Sequence, residues 1–324
     1  MKKIISLITI LSLCLANDGT ISGVTYFDYT NSKDVSEFNF KRQYFNYSIK
    51  KSDDLQFKVV FDVGRTSNGT VQKLVENTDE FEEIIEDNRL ITFLKKAQID
   101  YNCDWWKTSL GVIGTNTYGV QEKNWGYRFI EKSPLDLNGF ASTADLGIGI
   151  SKTLPSNLHL SLQFVNGEGY KKPQSDKHHK TSLNVTYGES NISKNTGYNA
   201  GIVYSTENTD LDPITMTSVF GGYAADKFRF GLEYDMLSNN GEEHTLTSFT
   251  SNFKYSDKIN VFARYDLIDD NNEDDMNGEN YLITGLTLDC GNGFIIAPNV
   301  RVKSFEEDTN EDETEYKISF QFKF

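Results

Sequence analysis

The chain has 324 residues, a formal net charge of −15, 38% hydrophobic residues and 13% aromatic residues. Its acidic balance argues against a nucleic-acid-binding protein, because such proteins carry clustered basic side chains. Only 5 prolines are present while turn-forming residues are abundant, so an all-β chain with many turns is favoured.

The first residues are typical of an export signal. Residues 1–3 are a basic start (MKK), residues 4–13 are apolar, and residues 14–16 (CLA) fit a cleavage site. The apolar run is shorter than the roughly 20 residues of a membrane-spanning helix, and a lipid-anchored Cys14 would need a small residue in place of Leu13. We therefore expect a signal peptide at 1–16 and a mature barrel domain at 17–324.

Apolar and polar residues alternate along most of the mature chain, as in LQFKVVFDV (55–63), LHLSLQFV (158–165) and FRFGLEYDM (228–236). Side chains on a strand point to opposite faces in turn, so each segment has one apolar and one polar face. The second segment changes phase near Arg42, which indicates a bulge. Sixteen strands are predicted, at 20–30, 36–49, 54–64, 91–102, 106–115, 143–152, 157–167, 181–189, 198–205, 213–224, 227–237, 245–255, 258–268, 280–289, 294–304 and 315–324.

The connections between these strands alternate between short and long. The short ones are 51–53, 103–105, 154–156, 191–196, 225–226, 256–257 and 291–293, and the long ones include 65–90, 116–142, 168–180, 269–279 and 305–314. This sorting is typical of an up-and-down antiparallel transmembrane β-barrel with short periplasmic turns and long outer loops. A soluble sandwich of two stacked sheets is the alternative fold.

The two faces favour the barrel. The polar face carries many charges, which a dry core cannot bury, and a barrel of about sixteen strands is wide enough for an aqueous channel. The final segment YKISFQFKF (316–324) exposes five apolar side chains that lipid would cover, and closure of the barrel would leave no open edge. The charged residues on the polar face are Lys58, Asp62, Lys96, Asp100, Arg229, Glu233, Arg264, Asp266, Arg301 and Lys303.

The terminal Phe324, with apolar residues at alternating positions before it, resembles the signal that barrel-assembly machinery reads in outer-membrane proteins. The stretches 38–49 (FNFKRQYFNYSI), 94–101 (LKKAQIDY) and 122–150 (EKNWGYRFIEKSPLDLNGFASTADLGIGI) are similar to the phosphate-selective porin O/P group of Gram-negative porins. The resemblance implies a sixteen-stranded barrel in the cell outer membrane, surrounded by lipid and lipopolysaccharide. It further implies a homotrimer that passes small solutes passively. The acidic balance departs from what a phosphate-selective channel would need.

In porins of this size the third long loop folds into the lumen and narrows it, and here that loop is 116–142, after the fifth predicted strand. We expect it to be the constriction, facing arginines on the wall, because pore filters are built from opposed charged side chains. The alternative is that these charges pair with one another and only hold the lumen rigid. The loop residues are Glu122, Arg128, Glu131 and Asp136, and the basic wall residues are Arg229, Arg264 and Arg301.

Other site types have weaker signals. The stretch 269–280 (DDNNEDDMNGEN) has oxygen ligands suited to calcium but fails the EF-hand spacing, so a weakly bound calcium in the outer loops stays open and no other cofactor is expected. Cys103 and Cys290 end strands that lie six positions apart around a barrel, too far for a disulfide. We expect free thiols.

The sequence thus predicts a passive outer-membrane channel for small hydrophilic solutes or ions, with a lean towards cations from the net charge. An anion- or phosphate-selective porin is one alternative, and a non-conducting adhesin that displays acidic loops is another. An enzyme is not expected, because the 4 histidines show no catalytic spacing.

Overall fold

The computed structural model describes residues 19–65, 71–74, 81–84, 90–239, 241–269, 277–307 and 311–324. The predicted signal peptide at 1–16 lies outside these residues and stays a prediction. Within the described part of the chain, no helix is long and apolar enough to cross a membrane.

Sixteen strands close into one antiparallel barrel, as the sequence predicts, and the first strand pairs with the last. Each predicted bound falls within three residues of the observed one. Two further short strands form a separate hairpin between the third and fourth barrel strands. The strands are β1 (Thr20–Asn31), β2 (Ser36–Lys50), β3 (Leu55–Arg65), the hairpin strands β4 (Val71–Leu74) and β5 (Phe81–Ile84), β6 (Leu90–Asn102), β7 (Lys107–Gly114), β8 (Ala144–Thr153), β9 (Leu158–Val165), β10 (Lys180–Gly188), β11 (Gly197–Glu207), β12 (Ile214–Ala224), β13 (Phe228–Asn239), β14 (Glu242–Lys254), β15 (Ile259–Asp269), β16 (Glu279–Gly291), β17 (Phe294–Phe305) and β18 (Glu313–Lys323).

The period-2 pattern sorts side chains onto two faces. On β18, Tyr316, Ile318 and Phe322 point outward and are 57%, 39% and 42% exposed. Asp62 and Asp266 point inward and are fully buried. Exposed apolar side chains recur on the outward face around the barrel, which is the surface that hydrocarbon covers in a membrane barrel.

The barrel closes where its terminal strands meet. The Gly23 N–H donates to the Phe324 carbonyl at 2.9 Å, and the Phe324 N–H donates to the Gly23 carbonyl at 3.1 Å. A Cβ on Gly23 would lie 2.2 Å from the Phe324 ring, so only glycine lets this ring lie over the first strand. We call this end of the barrel the terminal end, and the opposite end the loop end.

Two β-bulges break the alternation near one another. On β2, Arg42 lies opposite Tyr26 and Phe40 opposite Phe27, so Lys41 is the extra residue, as the phase change in the sequence indicates. On β6, Lys96 lies opposite Val60 and Leu94 opposite Phe61, which makes Lys95 the extra residue. A bulge places two successive residues opposite one partner, and here both extra lysines reach the lumen: Lys41 approaches Asp28, and Lys95 donates to the Tyr44 hydroxyl.

The connections follow the predicted alternation only in part. The third and fourth connections at the loop end, 115–143 and 166–179, are long, as predicted. The first, fifth and sixth, at 32–35, 208–213 and 240–241, are short. At the terminal end, 189–196 is longer than its neighbours. Cys103 and Cys290 are free, as expected from their separation around the barrel.

A charge on the outward face should destabilise the barrel. Leu232 on β13 is 58% exposed and outward-facing, so Leu232→Lys should lower the free energy of unfolding by about 2–4 kcal/mol near the bilayer midplane. Urea unfolding of the protein in lipid vesicles measures this. The matched control is Leu211→Lys in the 208–213 connection, where the leucine is 76% exposed. Equal losses in the two variants would mean that lipid does not cover Leu232.

Candidate functional site

The connection 115–143, which we call L3, packs inside the barrel. It contains two short helices, α1 (Gly119–Trp125) and α2 (Pro134–Leu137). Trp125, Ile130 and Leu135 are 2%, 1% and 0% exposed, although they belong to a loop. L3 therefore forms a hydrophobic core of its own with the inner wall.

Inward-facing apolar residues on the wall receive L3 in two clusters. In the first, Tyr118, Val120, Leu135 and Phe140 of L3 pack against wall residues from β11 to β15. In the second, Trp125, Phe129 and Ile130 of L3 pack against wall residues from β15 to β17. Burial of these side chains fixes L3 along one half of the lumen. The wall residues are Val203, Met216, Phe220, Leu246 and Ile268 in the first cluster and Phe262, Ile283 and Ala297 in the second.

The three predicted wall arginines hold the backbone of L3. Arg229 Nη2 donates to the Trp125 carbonyl at 2.9 Å, and Arg264 Nη1 donates to the Lys132 carbonyl at 2.5 Å. Arg301 Nη2 donates to the Ile130 carbonyl at 2.5 Å. Arg264 and Arg301 are 0% and 2% exposed. The sequence places these arginines across an open gap from the loop, whereas the structure buries them in direct contact with it.

The four predicted charges of L3 are paired. Arg128 Nη2 lies 2.8 Å from Asp136 Oδ2, and Arg128 Nε lies 3.3 Å from Glu122 Oε2. Glu131 makes a short ion pair with Arg301. The structure therefore brings together all four predicted loop residues as partners of one another or of the wall, which is the rigid-lumen alternative.

Two loop carboxyls differ in pKa because their surroundings differ. Burial alone would raise the pKa of Glu131, but Arg301, Lys41 and the Lys132 N–H outweigh burial and hold this pKa at about 2. At Glu122, burial raises the pKa, and the nearby Arg128 offsets this rise only in part. Glu131 thus stays ionised at neutral pH and fixes L3 to Arg301.

Gly126 ends α1 in the left-handed region, with φ of 76°, and its N–H donates to the Glu122 carbonyl at 2.8 Å. A Cβ at this position would lie 2.7 Å from Arg229 Nη2. Glycine is needed here both for the backbone conformation and for the approach of Arg229.

The wall from β1 to β6 faces L3 with several basic residues, and Tyr26 of β1 packs against Phe129 of L3. A cavity of about 180 Å³ lies between L3 and this wall, lined on the wall side by Tyr26, Lys41, Arg42 and Tyr44. A second cavity, of about 210 Å³, shares Arg42, Arg128 and Lys132 with the first. The two cavities mark a narrow gap between L3 and this wall.

The next connection at the loop end, 166–179, which we call L4, also turns into this gap. The Tyr170 hydroxyl donates to Asp62 Oδ2 at 3.3 Å, and Lys171 Nζ lies 5.4 Å from the centre of the Phe93 ring. Lys171 and Lys172 line the larger cavity together with Lys95. L4 therefore adds cations to a space that the sequence assigns to L3 alone.

The basic residues of the gap outnumber its acids. The larger cavity is lined by Arg42, Lys95, Arg128, Lys132, Lys171 and Lys172 but only by two acids, Asp136 and Glu168. Asp136 is paired with Arg128. Within the described part of the chain, Lys95, Lys132, Lys171 and Lys172 form no ion pair. The gap is therefore positive although the whole chain is acidic.

The basic residues of the gap cannot be found from local sequence patterns, for identifiable reasons. Lys41 and Lys95 face the lumen only because of the bulges, and only the first bulge leaves a clear phase change. At the terminal end, the turn 189–196 also folds inward: Ile192 is 2% exposed, and the Glu189 carbonyl accepts a hydrogen bond at 2.8 Å from Asn199 of β11, which itself exchanges hydrogen bonds with Asn124 of α1. No pattern in the turn itself signals this contact.

The predicted calcium-binding stretch 269–280 lies largely outside the described residues. Among the residues that the structure does describe, no group of three or more His, Cys, Asp or Glu side chains is arranged to hold a metal ion.

Comparison with known proteins shows the fold. No family model matches the chain, and no curated protein matches it. Among solved structures, the trimer form of OmpT, an outer membrane protein of Vibrio cholerae, has a TM-score of 0.64 at 10% identity over 95% of this chain and 100% of that chain. A mutant of the Rh. blastica porin has a TM-score of 0.61 at 14% identity over 95% and 100% of the two chains.

The outer membrane channel DcaP of Acinetobacter baumannii has a TM-score of 0.63 at 9% identity over 96% and 98% of the two chains. These similarities confirm the predicted architecture. The chain has the sixteen-stranded barrel fold of outer-membrane porins and channels.

Removal of the Glu131 charge should loosen L3. Glu131→Gln leaves Arg301 buried without its counter-ion, which costs about 3–5 kcal/mol. The pKa of Glu131 lies at about 2, below its ordinary value of 4.5, so the ionised pair stabilises the fold fully above pH 4.5 and loses its effect as pH falls towards 2. Urea unfolding at several pH values should show the difference between wild type and variant shrinking over that interval.

The control for this variant is Glu311→Gln, whose partner Lys33 forms an exposed pair with side-chain exposures of 79% and 85%. This change should cost at most about 1 kcal/mol. A wild-type advantage over Glu131→Gln that persists unchanged at pH 2 would contradict the role of the ionised pair.

Gly126→Ala should displace Arg229 from L3. Gly139→Ala is the matched control, because Gly139 has φ of 75° against 76° at Gly126 but no atom within 4 Å of its added Cβ. The control should lose only about 1–2 kcal/mol from backbone strain, and Gly126→Ala should lose more because its Cβ also meets Arg229. Equal losses of unfolding free energy would show that Arg229 moves aside without cost.

Proposed function

We propose that this protein is a passive diffusion channel of the outer membrane for small hydrophilic solutes. The observation that carries the proposal is the narrow, charged gap between L3 and the wall from β1 to β6. L3 is held by apolar clusters and by three arginines, so it stays in place as a fixed constriction beside this gap. A filter of charged side chains in a narrow space selects solutes by charge and size.

The lining of the gap favours anions. Lys95, Lys132 and Lys171 supply unpaired positive charge, whereas the loop acids Glu131 and Asp136 are neutralised by arginines. The formal net charge of −15 instead predicts a lean towards cations. We propose anion selectivity, because side-chain charges act most strongly on a passing ion where the passage is narrow and poorly screened, and only weakly over the whole surface.

No feature of the described lumen supports catalysis better than diffusion. Glu122, Arg128 and Asp136 of L3 are paired with one another, and the two cavities beside Arg42 have no nucleophile paired with a base. We therefore propose a channel and not an enzyme. A non-conducting adhesin is the second candidate that an experiment must separate.

We further propose that the channel is a homotrimer surrounded by lipid and lipopolysaccharide. The trimer form of the Vibrio cholerae protein with the same fold supports this assembly. The terminal Phe324, which pairs with Gly23 at the closure, is the residue that barrel-assembly machinery would bind. Mass measurement in mild detergent tests the assembly: a monomeric mass would contradict the trimer.

Planar-bilayer recording tests the channel and its selectivity together. In a salt gradient, the reversal potential should show anion preference. Lys95→Gln and Lys132→Gln should each reduce the anion-to-cation permeability ratio by up to about fivefold, since one charge near the path is worth about 1 kcal/mol in water. The control Lys227→Gln removes the same charge in a turn at the terminal end and should leave the ratio unchanged.

The outcomes separate the candidates. A purified barrel that inserts but never conducts would support the adhesin. Cation preference in the wild-type protein that the lysine variants do not change would contradict anion selection in the gap. It would mean that the acidic surface charge sets the selectivity.

A further inference from the structure

The smaller cavity of the gap is lined by aromatic rings as well as by charges. Tyr26 of β1 and Tyr44 of β2 meet edge to face, with 6.1 Å between their ring centres, and the ring centre of Phe129 of L3 lies 6.4 Å from that of Tyr26. Such ring pairs are favourable beyond the apolar area that they bury. The three rings, which we call the aromatic surface, therefore give the cavity an apolar lining that wall and loop share.

The Tyr44 ring is held in place and remains partly open. Lys95 Nζ donates to the Tyr44 hydroxyl at 3.1 Å and lies 4.6 Å from the centre of its ring. Tyr44 is nevertheless only half-buried, whereas Phe129 is 6% exposed. Because a preformed lining needs little rearrangement when a ligand enters, this ring can receive a solute at low entropic cost.

Four cations and one acid line the same cavity. The acid, Glu131, is already paired with Arg301, so it does not neutralise the cations of the cavity. Lys132 forms no ion pair among the residues that the structure describes, and Lys41 Nζ lies 3.6 Å from Asp28 with its side chain 42% exposed. Two ammonium groups can therefore meet a carboxylate that enters the gap. The four cations are Lys41, Arg42, Arg128 and Lys132.

The size of the cavity suits one six-membered ring. Its volume of about 180 Å³ exceeds the roughly 150 Å³ of an apolar protein cavity that binds benzene. An inorganic anion or a short aliphatic acid would meet the ammonium groups but would leave the aromatic surface without a contact. A ring that carries a carboxylate uses both parts of the lining, because its apolar body leaves water while its charge stays beside the lysines.

We propose that this cavity binds aromatic carboxylates, with the ring packed on the aromatic surface and the carboxylate at the ammonium groups of Lys41 and Lys132. Arg42 and Arg128 are already held in ion pairs, so the two lysines leave charge for one carboxylate and not for a multiply charged inorganic anion. The proposal rests on the proposed channel function in naming its solute class, whereas binding itself can be measured without current.

Three acids of equal charge test the site: acetate, cyclohexanecarboxylate and benzoate. Saturation-transfer NMR titrations of the folded full-length protein in detergent measure their binding without conduction, and block of the chloride current in planar bilayers measures it inside the channel. Benzoate should bind about tenfold more tightly than acetate, because its ring leaves water. It should bind about threefold more tightly than cyclohexanecarboxylate, because aromatic rings also attract one another through their edges and faces.

Two variants of one residue separate the ring of Tyr44 from its hydroxyl. Tyr44→Leu should weaken benzoate binding by about threefold more than acetate binding, whereas Tyr44→Phe should keep the preference for benzoate. Lys132→Gln should weaken the binding of both acids by the same factor, because both carry one carboxylate. Tyr204→Leu, which removes an outward-facing ring on β11, is the matched control and should change neither affinity.

Equal affinities of the three acids in the wild-type protein would overturn the proposal without any variant, because charge alone would then govern binding. A benzoate preference that Tyr44→Leu leaves intact would also overturn it, since the ring would then bind elsewhere. Binding of benzoate in detergent to a barrel that never conducts would support the site and contradict the proposed channel. Chloride conduction with no preference for benzoate would leave the channel standing and refute the site.

Discussion

The closed hydrogen-bond ladder is the constraint on which the rest of this structure depends. In hydrocarbon no water is available to backbone N–H and C=O groups, so a strand can cross only if both of its edges are paired. Pairing of β1 with β18 removes the last free edge, and the contact of Gly23 with Phe324 completes it. Once the ladder is closed, the alternation of side chains along each strand sets which face each residue occupies. Every second side chain faces lipid, and the others face the enclosed lumen.

L3 converts that wide space into a narrow one and makes it asymmetric. One half of the inner wall is apolar enough to bury Trp125 and Leu135 of L3. The arginines on this half hold L3 by donating hydrogen bonds to its backbone carbonyls. The other half presents Lys41 and Lys95 to the gap. A chain with strong negative charge thus surrounds a positive gap, because Asp62, Glu131 and Asp136 are held in ion pairs while Lys95 and Lys132 have no acidic partner in the described part of the chain. Net charge and local charge are separate properties in this protein.

The sixteen barrel strands were predictable because lipid outside and water inside impose one strict period, so each falls within three residues of its observed bounds, whereas the β4–β5 hairpin was not predicted. The inward direction of Arg264 and Arg301 follows from the same period. The burial of these two arginines could not be predicted from the period, because it depends on how the 29-residue connection 115–143 packs inside the barrel. One signal was present: Met216, Phe220 and Phe262 are apolar residues at inward positions, where a purely aqueous lumen would have polar ones. The inward turn at 189–196 and the contribution of L4 depend on contacts between distant segments that no local pattern records.

Because Lys41 and Lys95 are extra residues at bulges, the charge of the gap can change at these positions without a change in the strand pairing of the barrel. Loss of one ordinary strand residue would turn every following side chain to the wrong face. Loss of Lys41 would not, because Phe40 and Arg42 already occupy the outward and inward positions of an unbroken alternation. The same holds for Leu94 and Lys96 around Lys95. A single-codon deletion at either position is therefore a route by which a lineage can change the charge of the gap while every strand keeps its orientation.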